Sequence, residues 1–99
     1  MFKNLGQLLT GIVALSDEEC IFARKPWNST SEAIVAKLTE DFRVPASVST
    51  TGLEYFLEVS VCQEVLEVFG DKPATNEEKQ RLLIFYAEND AYPEWVYNR

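Results

Sequence analysis

The sequence contains no histidine among its 99 residues. Histidine is the side chain used most often as a general base and as a metal ligand, and it is part of the serine–histidine triads. The two cysteines, Cys20 and Cys62, are too far apart in the chain to form a C-x-x-C metal or redox motif. The composition therefore favours a domain that is not an enzyme and that carries no metal or cofactor.

Cationic residues are also scarce, because 9 lysines and arginines face 16 acidic residues and leave a formal net charge of -7. Proteins that bind nucleic acid or anionic membranes usually present a basic surface, so we expect neither contact here. No run approaches the roughly 20 apolar residues of a membrane span. No signal peptide is recognisable at Met1. The expected location is the cytoplasm, with both thiols reduced.

The length predicts a single domain over residues 1–99, and the charge is concentrated in its second half. The hydrophobic fraction of 46% is ordinary for a globular protein with one core. Residues 1–51 carry 6 acids and 5 bases, whereas residues 52–99 carry 10 acids and 4 bases. This distribution predicts an electrostatic potential that is negative on one side of the domain.

Apolar spacing and chain-breaking residues predict three elements in the first half. Phe2 to Leu9 has helical spacing, and Gly11 is a helix stop signal. Cys20 to Arg24 and Ala33 to Leu38 are predicted to be the strands of a hairpin, joined by the loop that contains Pro26. A helix over Ala33 to Leu38 is the alternative for that segment.

The second half begins with a predicted short helix over Ala46 to Thr50 and an alternating strand over Leu53 to Val59. Ser60 with Gln63 has the pattern of a capping box, which predicts a helix that ends at Gly70.

A second capping-box pattern, Thr75 with Glu78, predicts a helix to about Glu88. Residues 82–87 are apolar on nearly every side, so this helix is either buried or partly covered by a partner. A strand over the same residues is the weaker alternative. The predicted fold is therefore α+β, with a small three-stranded sheet carrying helices in the order αββ(α)βαα.

Acidic residues are the only abundant reactive groups. Glu64, Glu67 and Asp71 recur at helical spacing after Ser60 and share the face opposite the apolar side. Glu54 and Glu58 lie on the mostly acidic side of the preceding strand. These acids are either a solvated outer face or a docking surface for a basic partner, and a metal site is the least favoured interpretation.

The last predicted helix ends in an acidic and aromatic segment. Glu88 and Asp90 flank Asn89 at the helix end, where acidic charge opposes the helix dipole. Such a local cost can mark a functional position, but the favoured alternative is that Asn89 supplies a left-handed cap and the acids are solvated. Tyr92 and Trp95 follow, and each either packs on the core or anchors a partner.

Two motifs of the second half resemble those of a known family. Gly52-Leu53-Glu54-Tyr55 forms a G-L-x-Y strand that leads into an S-x-x-Q helix, and Tyr86-Ala87-Glu88-Asn89-Asp90-Ala91-Tyr92 forms a Y-x-E-N-D-A-aromatic ending. Both resemble motifs of small acidic bacterial immunity proteins encoded beside polymorphic or contact-dependent toxins. The resemblance spans residues 52–92, and its motifs are structural rather than catalytic.

The resemblance implies a protein that binds the C-terminal domain of a cognate toxin and neutralises it. Many such toxins are nucleases with a basic cleft, which an acidic domain can occupy after electrostatically steered association. The alternatives are an acidic regulator or nucleic-acid mimic that inhibits a host enzyme, and a small carboxylate-based enzyme. The predicted partner-binding residues are Glu54, Glu58, Glu64, Glu67, Asp71, Glu88, Asp90, Tyr92 and Trp95.

Overall fold

The protein is described by a computed structural model that covers residues 3–41 and 43–97. Its strands and helices are β1 (Lys3–Asn4), α1 (Leu5–Thr10), β2 (Cys20–Ala23), β3 (Glu32–Ala36), α2 (Ala46–Ser49), β4 (Glu54–Glu58), α3 (Val59–Leu66) and α4 (Asn76–Asn89). The strands form one antiparallel sheet in the order β1-β3-β2-β4. The α+β class is confirmed, but the sheet has four strands and not the predicted three.

The additional strand, β1, comes from residues predicted to be helical. Lys3 and Asn4 pair with β3, and Asn4 then caps helix α1. The Asn4 side chain accepts a hydrogen bond from the Gln7 backbone N–H (3.0 Å), while the Gln7 side chain accepts one from the Asn4 N–H (3.3 Å). Because this reciprocal cap sets the helix start, α1 begins at Leu5. Phe2, the predicted first residue, lies outside the described residues.

The predicted hairpin of β2 and β3 is confirmed, and the helical alternative for the second segment is wrong. Phe22 lies opposite Ile34 in an antiparallel register. The connecting loop is held by its own side chains, since the Trp27 indole N–H donates to the Ala23 carbonyl (3.1 Å). Arg24 also pairs with Glu32 across the hairpin (2.8 Å).

The predicted start of α3 is wrong, whereas its predicted end is confirmed. Strand β4 runs directly into the helix, so Glu58 occupies the N-cap position and Ser60 lies inside the first turn. Tertiary contacts override the capping-box pattern here: Val59 is fully buried, and its N–H donates to the Glu19 carbonyl (2.9 Å). After a short 3₁₀ turn, the chain leaves the helix at Gly70, whose φ of 55° suits a residue without a side chain.

The predicted capping box of α4 is confirmed. The Thr75 hydroxyl accepts from the Glu78 N–H (3.1 Å), and the Glu78 carboxylate accepts from the Thr75 N–H (3.0 Å). The strand alternative for this segment is wrong, because Asn76–Asn89 is one continuous α-helix. Leu82 and Leu83 are fully buried on it. The left-handed cap is Asp90, with a φ of 52°, and not Asn89 as predicted.

The two faces of the sheet are covered by hydrophobic clusters of different size. Helices α1, α3 and α4 cover one face, and their side chains form the main core with Ile21, Phe56 and Leu57. The opposite face carries a smaller cluster, in which Val48 of α2 and Leu53 cover Phe22. Both cysteines are buried as free thiols. No helix in residues 3–41 and 43–97 has the length and apolar character required to traverse a membrane.

Candidate functional site: an acidic surface with exposed tyrosines

Two of the predicted acidic residues lie on and directly after α3: Glu64 is on the helix, and Glu67 follows its last residue, Leu66. Val59, Cys62 and Val65 are buried on the inner side of the helix. Glu64 and Glu67 project from the other side and are exposed, as the helical period requires. Within the described residues, neither carboxylate forms an ion pair. In residues 3–41 and 43–97, their negative charge is therefore not neutralised by an ion pair with lysine or arginine.

Three tyrosines gather beside these carboxylates. Tyr86 lies on α4, and the left-handed turn at Asp90 brings the following segment back, so that Tyr92 contacts Tyr86 with ring centroids 5.4 Å apart. Tyr97 contacts the other side of the cluster, 6.4 Å from Tyr92. Tyr92 is 36% exposed and Tyr97 is 67% exposed, so both rings reach solvent. We call the group of Glu64, Glu67, Tyr86, Tyr92 and Tyr97 the Tyr92 surface.

Electrostatics join the helix acids to the tyrosines. Partial burial raises the pKa of Tyr92, and the negative charges of Glu64 and Glu67 raise it further. A phenolate at this position would add a third negative charge, so Tyr92 keeps its proton. The Tyr92 surface is therefore an exposed aromatic cluster in a negative potential, which suits a cationic ligand.

The Asp90 backbone supports the Tyr92 surface. The Asp90 N–H donates to the Tyr86 carbonyl (2.8 Å) and so closes α4.

Asp71 follows Gly70, where the helix has already ended. The prediction that Asp71 shares a helical face with Glu64 and Glu67 is wrong, because that spacing requires a continuous helix.

A bulge in β4 separates the two strand acids. Leu57 lies opposite Ile21 while Tyr55 lies opposite Phe22, so Phe56 is an extra residue in β4. Phe56 is buried in the main core, although strict alternation predicts it on the acidic side.

The same register overturns the prediction that Glu54 and Glu58 share a face. Glu54 lies opposite Ala23 and Glu58 lies opposite Cys20. Because Cys20 and Ala23 are three residues apart in one strand, they point to opposite faces of the sheet, and so do the two acids paired with them.

Glu58 borders a pocket on the face that carries the smaller core. The pocket has a volume of ≈ 260 Å³ and is also lined by Cys20, by Lys37 and by the turn of residues 17–19. The three residues of this turn, Asp17, Glu18 and Glu19, are acidic. They were not among the predicted site residues, because they are far from Glu58 in the chain. Lys37 pairs with Glu18 (3.4 Å), so this acidic pocket already contains a cation.

Tyr55 lies near Glu58 and is 42% exposed, but its ring also packs on the smaller core. Its ring meets the buried ring of Phe22 edge-on, with centroids 6.1 Å apart. Burial, followed by the charge of Glu58, raises the pKa of Tyr55 to about 12. Burial also raises the pKa of Cys20, which makes the thiol a poor nucleophile at neutral pH.

Glu88 and Trp95 lie in a different groove, with a volume of ≈ 440 Å³, between α4 and the Trp27 loop. Trp95 packs against Phe69 at 6.5 Å, and the Arg81 guanidinium lies 4.8 Å from the Trp95 ring centroid. This groove therefore has mixed charge. The structure brings Glu64, Glu67 and Tyr92 together, and it places Glu54, Glu58, Asp71, Glu88 and Trp95 elsewhere.

Tyr86 and Tyr97 were not among the predicted site residues, although Tyr86 has a signal in the sequence. Tyr86 and Tyr92 flank the predicted helix end, so a sharp turn there brings them close together.

Within residues 3–41 and 43–97, no group of three or more acidic or cysteine side chains is arranged to hold a metal ion. No family model, no curated protein and no solved structure matches the chain.

Proposed function

We propose that this protein is a cytoplasmic immunity protein that binds the C-terminal domain of a cognate bacterial toxin. The toxin domain is a basic nuclease, and the immunity protein neutralises it by covering its substrate cleft. Binding suffices for this activity, so the protein needs no catalytic step of its own. The resemblance of residues 52–92 to small acidic immunity proteins is the starting point for the proposal.

One observation of the structure supports this function most directly: the carboxylates of Glu64 on α3 and of Glu67 directly after it have no ion-pair partner among the described residues, and they act electrostatically on Tyr92 in a cluster of exposed and partly exposed tyrosines. Unpaired surface charge accelerates association with an oppositely charged protein. Tyrosine rings provide much of the contact area at protein interfaces and lose little conformational entropy on binding. The Tyr92 surface combines both properties.

The first experiment is affinity capture of the tagged protein from its native cells at low salt, with mass spectrometry of what it retains. The proposal expects one stoichiometric partner that matches the C-terminal region of a large secreted protein. Retention of a housekeeping enzyme would instead support the regulator. The captured domain is then expressed alone, and its nuclease activity is measured with and without the immunity protein. Uninhibited activity would contradict the proposal.

Association kinetics with the captured domain test the surface. We expect the double variant Glu64→Gln and Glu67→Gln to associate about tenfold more slowly at low salt, with a weaker salt dependence, because steering charges act on the association rate. The matched control is Glu54→Gln with Glu58→Gln, which removes the same charge from β4. If only the control slows association, the interface lies at β4 and not at the Tyr92 surface.

A further inference from the structure

The three rings of the Tyr92 surface meet at steep angles. The planes of Tyr86 and Tyr92 are inclined by 58°, and those of Tyr92 and Tyr97 by 62°. Rings inclined at such angles leave part of each ring face uncovered, and a negative ring face attracts an organic cation. Stacked parallel rings would instead cover one another and leave less ring face free.

The charges around these rings favour a positively charged occupant. Glu64 and Glu67 add negative charge next to the rings, and the whole chain carries a net charge of -7. A cation held between the rings and a carboxylate gains from both interactions at once. A neutral or anionic side chain gains from neither.

Cation–π contacts elsewhere in the described residues show how this protein uses its aromatic rings. Both tryptophans carry one of the protein's own cations: Lys25 lies 4.8 Å from the Trp27 ring centroid, and Arg81 lies 4.8 Å from that of Trp95. Neither of these two cations contacts Tyr86, Tyr92 or Tyr97. Within the part of the chain that the structure describes, each indole thus has a cation of the protein beside it.

We propose that the Tyr92 surface is a cage for an arginine side chain of the partner protein. This inference rests on the proposed function, because a basic nuclease cleft supplies the arginine. Arginine fits better than lysine because its planar guanidinium stacks on an aromatic ring and still donates two parallel hydrogen bonds to a carboxylate. The arginine lies against Tyr92, with Glu64 or Glu67 as its acceptor.

A peptide titration tests the cage without the partner. The probes are three blocked tripeptides, acetyl-Gly-X-Gly-amide, in which X is arginine, lysine or citrulline, the neutral analogue of arginine. The measurement is the chemical shift of the tyrosine ring resonances. We expect the arginine peptide to move those of Tyr86, Tyr92 and Tyr97 about fivefold more per unit concentration than the citrulline peptide, as a cation–π contact of about 1 kcal/mol implies. Tyr55 is the internal control and should not move.

Variants identify the groups responsible. Tyr92→Leu keeps an apolar side chain but removes the ring, so the shifts of Tyr86 and Tyr97 should fall to the citrulline level. Tyr92→Phe keeps the ring and should retain most of the response. Glu64→Gln with Glu67→Gln should reduce it, whereas Glu54→Gln with Glu58→Gln should leave it unchanged. Thermal unfolding of each free variant establishes that it is folded.

Three results would overturn the cage. Equal shifts with arginine and citrulline would exclude a charge effect, and an unchanged response in Tyr92→Leu would exclude the ring. A lysine response as large as the arginine response would remove the assignment to arginine. Failure of the cage and failure of the proposed function remain distinguishable. If a captured toxin domain binds Tyr92→Leu as tightly as it binds wild type, the cage is contradicted and the immunity function is not. If the arginine peptide gives its specific response but the protein does not inhibit the toxin, the immunity function is contradicted and the cage is not.

Discussion

Tyrosine and glutamate stand together in two regions of this protein, at Tyr55 with Glu58 and at Tyr92 with Glu64 and Glu67. The Tyr55 ring packs edge-on against the buried ring of Phe22, and the nearby acidic pocket already contains a lysine. The Tyr92 ring instead contacts other exposed or partly exposed tyrosines, beside carboxylates without an ion-pair partner among the described residues. Tyr55 is 42% exposed and Tyr92 is 36% exposed, so the two regions differ in what the tyrosine ring contacts and in whether the nearby acids have a cation beside them, and not in how far the ring reaches solvent.

The largest expected effect separates the two regions by stability. Phe22 is fully buried beneath Tyr55, so Phe22→Ala should lower the free energy of unfolding by about 3–5 kcal/mol, measured by urea denaturation. Tyr97→Ala, on the exposed side of the other cluster, should cost less than about 1 kcal/mol. If Phe22→Ala does not fold, Phe22→Leu gives the same comparison at a smaller cost. A large loss in Tyr97→Ala would show that the Tyr92 surface is part of the core, and the comparison would fail.

A smaller effect concerns helix α4, which carries Tyr86. Thr75→Ala removes the side chain that caps this helix and should cost about 1 kcal/mol of unfolding free energy. Ser60→Ala is the matched control, because Ser60 has the same sequence pattern but lies inside α3 without a capping role. It should change stability by less than about 0.5 kcal/mol. Equal losses in the two variants would contradict the observed helix starts.

The smallest effect is a pH dependence from Tyr55, whose pKa is raised from 10.0 to about 12. The folded protein holds this proton more tightly than the unfolded chain does. The stability that Tyr55 contributes is therefore complete below pH 10 and is lost as the pH rises through about 12. We expect the urea midpoint of wild type to fall faster over this interval than that of Tyr55→Phe. Burial also raises the pKa of Cys62 to about 12, but Cys62 is present in both proteins and cancels in the difference. If the urea midpoints of the two proteins fall in parallel with pH, folding does not raise the pKa of Tyr55.

The local elements of the fold could be predicted because their determinants are close in the sequence. The Thr75 and Glu78 side chains satisfy backbone groups three residues away, and Gly70 adopts its positive φ without help from distant residues. The β2–β3 hairpin follows from two apolar segments joined by a loop that contains proline. The same kind of reasoning failed at Ser60, because burial of Val59 set the start of α3 instead.

The candidate site could be predicted only in part. Spacing on α3 correctly placed Glu64 and Glu67 on one outer face, since both lie within or directly after a regular helix. It could not place Tyr92 beside them, because that contact depends on how α4 packs and on the turn at Asp90. Glu54 and Glu58 were misplaced because one extra residue in β4 reverses the side to which the following residues point.

The sequence by itself determined the α+β class, the hairpin, the capped start of α4, the helix end at Gly70 and the excess of negative charge. Each depends on composition or on interactions within a few residues. Only the tertiary structure decided the bulge at Phe56, the pocket that joins Glu58 to the turn of residues 17–19, and the position of Tyr92 within electrostatic reach of Glu64 and Glu67. These features depend on which elements pack together, because the side chains involved come from segments that are distant in the chain.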